Sequence, residues 1–262
     1  PADATNSSAS SARYADESAR RSSYKLAGRV ERVWNDARHA AAMESFRTLR
    51  TILEGYLGDN EGVFTITSAV PREGKSTVSL NLARAFAADG ETRTLLVDAD
   101  LRRREPCPWL QPLPERGLGE ILARRATFAQ AIIRVGNSAL DILVAGSATE
   151  DTARLLSKER VAEIVAWLRQ RYRRVIIDTP PVILFSDALP FAAEADGVVV
   201  VTRAGWTPLA QYERAIDALG DARILGTVLN QAFPNLLDRE TSHDHYYQRY
   251  YRRYYGPRRT AR

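Results

Sequence analysis

Short apolar runs alternate along the chain with longer stretches in which apolar residues return every three or four positions. Residues 63–68 (VFTITS), 92–97 (TRTLLV), 140–144 (LDILV), 175–177, 198–202 and 224–229 (ILGTVL) are strand-sized and rich in β-branched side chains. Residues 75–88, 152–171 and 208–219 carry helical spacing, and shorter helices are expected over 118–125 and 128–134. Four prolines make residues 106–114 a loop. Upstream, Val30, Val33, Trp34, Met43, Phe46, Leu49, Ile52 and Leu53 recur at helical spacing, so residues 29–57 also read as helical. Strands alternating with helices of this length predict an α/β fold, a parallel β-sheet with helices on both faces. Sheets of that kind bind ligands at the carboxyl ends of their strands.

The ends of the chain do not share this pattern. Residues 1–28 are dominated by Ser, Ala, Arg and Asp and are expected to form a flexible arm or linker. Residues 29–240 hold the folded domain, and 241–262 form a tail of tyrosine and arginine. The 262 residues are 45% hydrophobic, ample for one full core. The net charge of +5 is concentrated in residues 102–125, in 169–174 and after Arg249. Such an excess suits nucleic acid, an anionic membrane surface or an acidic partner, and charge alone does not choose. A single cysteine, Cys107, rules out an internal disulfide framework. His39, His243 and His245 have no neighbours at metal-ligand spacing, so a zinc site is not expected. The composition suits a reducing cytoplasm. The longest strongly apolar run, residues 197–202, is far too short to span a membrane, and no signal peptide is visible. The first residue is Pro1, which leaves open a processed chain or a fragment.

Three motifs stand at the predicted carboxyl ends. Ala69-Val70-Pro71-Arg72-Glu73-Gly74-Lys75-Ser76-Thr77 follows a strand and opens a helix, as a phosphate-binding P-loop does. Its backbone N–H groups, from Val70 through Thr77 apart from Pro71, which has none, would cradle phosphate; Lys75 would reach the β- and γ-phosphates, and Ser76 would hold Mg²⁺. Ala69 stands where the common pattern has glycine, and Arg72 fills a place where a positive φ would strain it. Next, Asp98 and Asp100 leave a buried strand together in LLVDADLR, suited to proton acceptance and metal orientation. The bland alternative is that Asp98 caps a turn. Last, Val175-Ile176-Ile177-Asp178-Thr179-Pro180-Pro181 ends a strand in an acid of the kind that orients a metal ion.

In this order, from about Glu44 to the C-terminus, the motifs resemble the Walker boxes of the bacterial tyrosine kinases that govern capsule and exopolysaccharide synthesis. The resemblance implies a P-loop NTPase fold like that of MinD and ParA, with ATP and Mg²⁺ as cofactors. It makes Lys75, Asp98 and Asp100 catalytic, and Ser76, Asp100 and Asp178 metal-binding. The wider fold adds Asn230 as an adenine contact. Glu44, Arg47 and Arg50 match the E-x-x-R-x-x-R helix that joins subunits into a ring in this family, although the same spacing also makes a solvated helix face. Six tyrosines in the tail, Tyr246, Tyr247, Tyr250, Tyr251, Tyr254 and Tyr255, become autophosphorylation sites. Each phosphate would add about −1.5 to −2 charge. Read from the residues alone, that tail also suits nucleic-acid contact; the resemblance argues against it.

The activity implied is an ATP-dependent protein-tyrosine autokinase. Its partners would be further copies of the chain, a transmembrane polysaccharide co-polymerase or activator in the same or another polypeptide, and a counteracting phosphatase. It would work in the cytoplasm at the inner face of the membrane. Two alternatives compete: a partition- or division-type ATPase switch, whose extra P-loop lysine is replaced here by Val70, and a non-catalytic nucleotide-sensing subunit.

Overall fold

The structure is a computed structural model that describes residues 25–26, 40–57, 61–102, 110–146 and 155–232. In chain order the elements are β1 (Lys25–Leu26), α1 (Ala40–Leu57), β2 (Gly62–Ser68), α2 (Lys75–Phe86), a tight turn at Ala87–Asp89, β3 (Thr94–Asp98), β4 (Leu110–Gln111), α3 (Leu118–Leu122), α4 (Phe128–Ala131), β5 (Ile133–Arg134), β6 (Leu140–Leu143), α5 (Lys158–Arg169), β7 (Arg174–Asp178), α6 (Ala188–Glu194), β8 (Gly197–Arg203), α7 (Leu209–Leu219) and β9 (Ile224–Asn230).

One sheet organises the domain, in the order β5-β6-β3-β7-β2-β8-β9. Every pairing is parallel except β5 with β6. The continuous apolar runs are explained by two covered faces. Phe64, Ile66, Leu96, Ile176 and Val199 pack toward Leu53 of α1 and Val78, Leu82 and Phe86 of α2. Their alternates Val63, Leu95, Val97, Val175 and Ile177 pack against Val161, Ile164, Val165 and Leu168 of α5. Phe64 and Phe86 stack with ring centroids 6.0 Å apart, fixing α2 over β2. The expected parallel sheet with helices on both faces is therefore present.

Four local expectations change. The helix expected over 128–134 stops at Ala131, and Ile133–Arg134 joins the sheet edge. Consecutive β-branched Ile132 and Ile133 favour that extended backbone. In the proline-rich segment, Leu110–Gln111 forms a small ladder with Lys25–Leu26, so the distal part of the expected arm is tied to the domain, with Leu26 buried. α5 begins only at Lys158, where the Ser157 hydroxyl caps it by accepting from Arg160 N–H at 3.2 Å. α6 was not expected; two turns burying Ala188, Phe191 and Ala192 give too short a periodicity to stand out.

At the amino ends of the strands a buried aspartate meets part-exposed arginines. Asp141 of β6 accepts from Arg134 (2.9 and 3.4 Å) and from the Tyr172 hydroxyl (2.8 Å), and Arg93 stands 3.6 Å away. Hydrogen bonding to Asp141, opposed by burial, holds the Arg134 guanidinium above its ordinary pKa.

Candidate active site

The carboxyl ends of β2, β3 and β7 bring the three motifs together. From β2 the chain turns through residues 69–74 and enters α2 at Lys75. Arg72 has a φ of 67° and Gly74 one of 89°. For Arg72 this is the strained left-handed region, costing about 1–3 kcal/mol. Glycine is required at position 74 twice over, because a Cβ there would also lie 2.0 Å from Asn230 Nδ2.

A set of long-range hydrogen bonds holds this loop in place. The buried Glu73 carboxylate accepts from Val70 N–H at 2.6 Å and from the Thr207 hydroxyl. Thr207 Oγ1 in turn accepts from Arg203 N–H at 3.1 Å. Asn230 Nδ2 donates to the Glu73 carbonyl at 2.8 Å, and Asn230 Oδ1 accepts from Gln231 N–H at 2.9 Å. The Glu73 side chain is thus turned into the protein, and Val70 N–H is engaged with it. Pro71 and Arg72 face solvent, Ser76 is half-buried in the first turn of α2, and Thr77 is exposed.

On the other flank stand the acids. Asp98 and Asp178 are side by side in the β3–β7 register, and Ala99 N–H donates to the Asp178 carbonyl at 2.8 Å. Asp98 Oδ1 accepts from Asp100 N–H at 3.1 Å, so Asp98 does form the turn, while remaining beside Asp178. Lys75 Nζ lies 3.9 Å from Asp100 Oδ2. Ser79 Oγ lies 2.9 Å from the Lys75 carbonyl and 3.2 Å from Asp178 Oδ1. Lys75, Asp98, Asp100 and Asp178 are all at most 9% exposed. Charged groups are rarely buried so deeply without a partner or a function. Arg102 closes the flank with a two-pronged pair to buried Asp187 at 2.6 and 2.9 Å and lies 4.7 Å from the Phe185 ring centroid. The Asp187 hydrogen bonds outweigh burial and hold Arg102 above its ordinary pKa, with Asp100 contributing.

This donor set fits a magnesium–nucleotide complex. Mg²⁺ in such sites is held by one or two carboxylates, a hydroxyl, waters and the substrate's phosphates, not by an all-protein cage. Ser76, Asp100 and Asp178 are of that kind, and among the described residues no cluster of three or more Asp, Glu, His or Cys forms a cage of its own.

The predicted residues divide into those brought together and those set apart. Lys75, Asp98, Asp100 and Asp178 converge; Asn230 reaches the same loop. Glu44 and Arg47 pair with each other at 2.8 Å on the exposed side of α1. Arg50 instead reaches Glu54 at 3.1 Å and the Ala85 carbonyl at 3.0 Å, joining α1 to α2. Tyr246, Tyr247, Tyr250, Tyr251, Tyr254 and Tyr255 lie outside the described residues. Sequence reasoning missed Ser79, Asp187 and Thr207. Ser79 sits one helical turn beyond Lys75, a spacing that could have drawn notice. Asp187 and Thr207 carry no local signal.

No protein-family model matches the chain. It is 35% identical to the tyrosine-protein kinase YwqD of Bacillus subtilis (strain 168) over 190 residues, 71% of this chain and 80% of that protein. It is 32% identical to the succinoglycan biosynthesis transport protein ExoP of Rhizobium meliloti (strain 1021) over 222 residues, 82% of this chain but only 28% of ExoP. The solved kinase domain of the Escherichia coli tyrosine kinase ETK has a TM-score of 0.68 at 27% identity, over 77% of this chain and 81% of that one. The chain thus spans most of YwqD and little more than a quarter of ExoP.

Proposed function

The chain belongs to the bacterial tyrosine kinases, and from that membership we propose that it transfers the γ-phosphoryl group of ATP to tyrosines of its own C-terminal tail. The observation that carries the reading is the approach of Lys75 to Asp100 at the sheet edge where Asp98 abuts Asp178. Mg·ATP, when bound, supplies the phosphoryl group and neutralises charge on its leaving side.

The chain's own groups divide the remaining work. Backbone N–H groups at the start of α2 orient phosphate oxygens, with the positive end of the helix dipole behind them. Lys75 meets negative charge on the β- and γ-phosphates, for which it exchanges the nearby Asp100. Ser76, Asp100 and Asp178 would hold Mg²⁺. Asp98 or Asp100 takes the proton from the incoming tyrosine hydroxyl as its oxygen bonds to phosphorus and the bond to ADP breaks. Burial keeps water from competing for the phosphoryl group.

The acceptors are Tyr246, Tyr247, Tyr250, Tyr251, Tyr254 and Tyr255, entering from the tail of a neighbouring copy. Several phosphates at about −1.5 to −2 charge each would turn that cationic segment anionic. Glu44 and Arg47, displayed on α1, suit contact with a further copy, whereas Arg50 acts within the chain. Among the described residues no helix is long and apolar enough to cross a membrane. Work at the inner face of a membrane would, on the family reading, run through a transmembrane partner, in this or another polypeptide. The size of ExoP relative to the matched region supports that arrangement. Control of exopolysaccharide synthesis and export, opposed by a phosphatase, follows from the same reading.

The test is intact-mass spectrometry of the full chain after incubation with Mg·ATP, beside Lys75→Met and a chain ending at Asp244. Successive phosphoryl additions in the parent, absent from both variants, are expected. ATP hydrolysis without mass change would defeat the kinase reading in favour of an ATPase switch.

A further inference from the structure

Trp206 is 55% exposed on the flank of β2 opposite the acids. A large aromatic ring left in water forgoes the burial that usually governs its position. Its backbone, however, is firmly held. Trp206 and Thr207 N–H groups donate to the Arg203 carbonyl at 3.2 and 3.1 Å, closing a turn at Gly205, whose φ is 66°. That turn is fastened to the P-loop through the Thr207 hydroxyl on Glu73. It is fastened to β9 by Ala204 N–H on the Asn230 carbonyl at 2.9 Å. The Arg203 guanidinium carbon lies 5.0 Å from the Trp206 ring centroid. The ring is therefore displayed by a rigid turn and backed by a cation.

Strand order says what the display faces. β7 and β3, with Asp178 and Asp98, lie on one side of β2; β8 and β9 lie on the other. Parallel strands are about 4.8 Å apart, so the ends of β8 and β9 stand about 5 and 10 Å from the P-loop strand, away from the acids. Phosphates held at the start of α2, with their metal toward β7 and β3, leave the nucleoside to extend toward β8 and β9. A purine stacks well on an indole or a guanidinium plane. Asn230, expected as an adenine contact, bonds the Glu73 carbonyl and Gln231 N–H, which leaves its amide one N–H and one lone pair for a base edge.

We propose that Trp206, backed by Arg203, is the platform on which the purine base stacks, while Asn230 positions the P-loop. This rests on the nucleotide reading above and adds to it the residue that recognises the base.

The test separates base from phosphate. Calorimetric titration of the full chain with ADP and with pyrophosphate is compared for the parent, Trp206→Ala and Trp206→Phe. Trp206→Ala is expected to weaken ADP binding about tenfold, with pyrophosphate unchanged within about twofold, and Trp206→Phe to stay within about threefold of the parent for both. Unchanged ADP affinity in Trp206→Ala would overturn the platform. So would an equal loss for ADP and pyrophosphate, which would make Trp206 a support of the loop. Failure of both ligands to bind the parent would instead refute the nucleotide reading itself.

Discussion

The two ends of the parallel sheet each bury aspartate, yet they surround it differently. At the amino ends, Asp141 is met by Arg134 in a two-pronged pair, by Arg93 and by the Tyr172 hydroxyl. At the carboxyl ends, Asp98, Asp100 and Asp178 are gathered with one lysine, its Nζ 3.9 Å from Asp100, while the nearby Arg102 is taken up by a fourth acid, Asp187. The first arrangement supplies more positive than negative charge and ties β5, β6 and the start of β7 together. The second concentrates negative charge, which destabilises a fold unless a cation is to be received. Burial alone therefore does not single out a candidate functional acid; the sign of its surroundings does.

Neutralising one acid at each end should separate these roles most sharply. Asp178→Asn is expected to lower autophosphorylation by on the order of 10²–10³-fold. Its melting temperature should hold or rise, because a like-charge contact has been relieved. Asp141→Asn should do the reverse. Removing the charge that its part-exposed arginines meet costs about 1–2 kcal/mol, a fall of about 2–8 °C for a domain of this size, with the rate per folded molecule kept within about twofold. Scanning calorimetry and phosphotyrosine rates on the same preparations check both, and a destabilised Asp178→Asn would break the contrast. A smaller effect is expected at Thr207→Val, which removes the hydroxyl bond to Glu73. It should raise the KM for ATP a few-fold, about 1 kcal/mol, with kcat nearly unchanged. Steady-state kinetics over a range of ATP concentrations measures this.

The same contrast explains what could be read in the sequence. The strands were legible because two covered faces demand unbroken apolar runs, as in VFTITS and LLV. Lys75, Asp98, Asp100 and Asp178 were legible because each sits next to such a run, at the end where a parallel sheet collects ligands. The possible strain at Arg72 was visible too, and its φ of 67° bears it out. What escaped depends on contacts far along the chain. Glu73 meets Thr207 across 134 residues and Asn230 across 157. Arg102 meets Asp187 across 85. No local pattern encodes such partners. The pairing of Leu110–Gln111 with Lys25–Leu26 was hidden for the same reason, behind prolines that signal a loop. α6 failed on length, having too few turns to reveal a face.

The most direct test of the central claim separates the proposed catalytic edge from the tail proposed as its substrate. A chain ending at Asp244, with its P-loop and acids intact, is mixed with the full Lys75→Met chain and Mg·ATP, and phosphotyrosine is mapped on each. Phosphate is expected on the Lys75→Met chain, within Tyr246 to Tyr255, and on neither protein alone. No transfer in the mixture, or modification confined to tyrosines of the truncated chain, would contradict the assignment of that edge as a tyrosine kinase acting on its neighbour's tail.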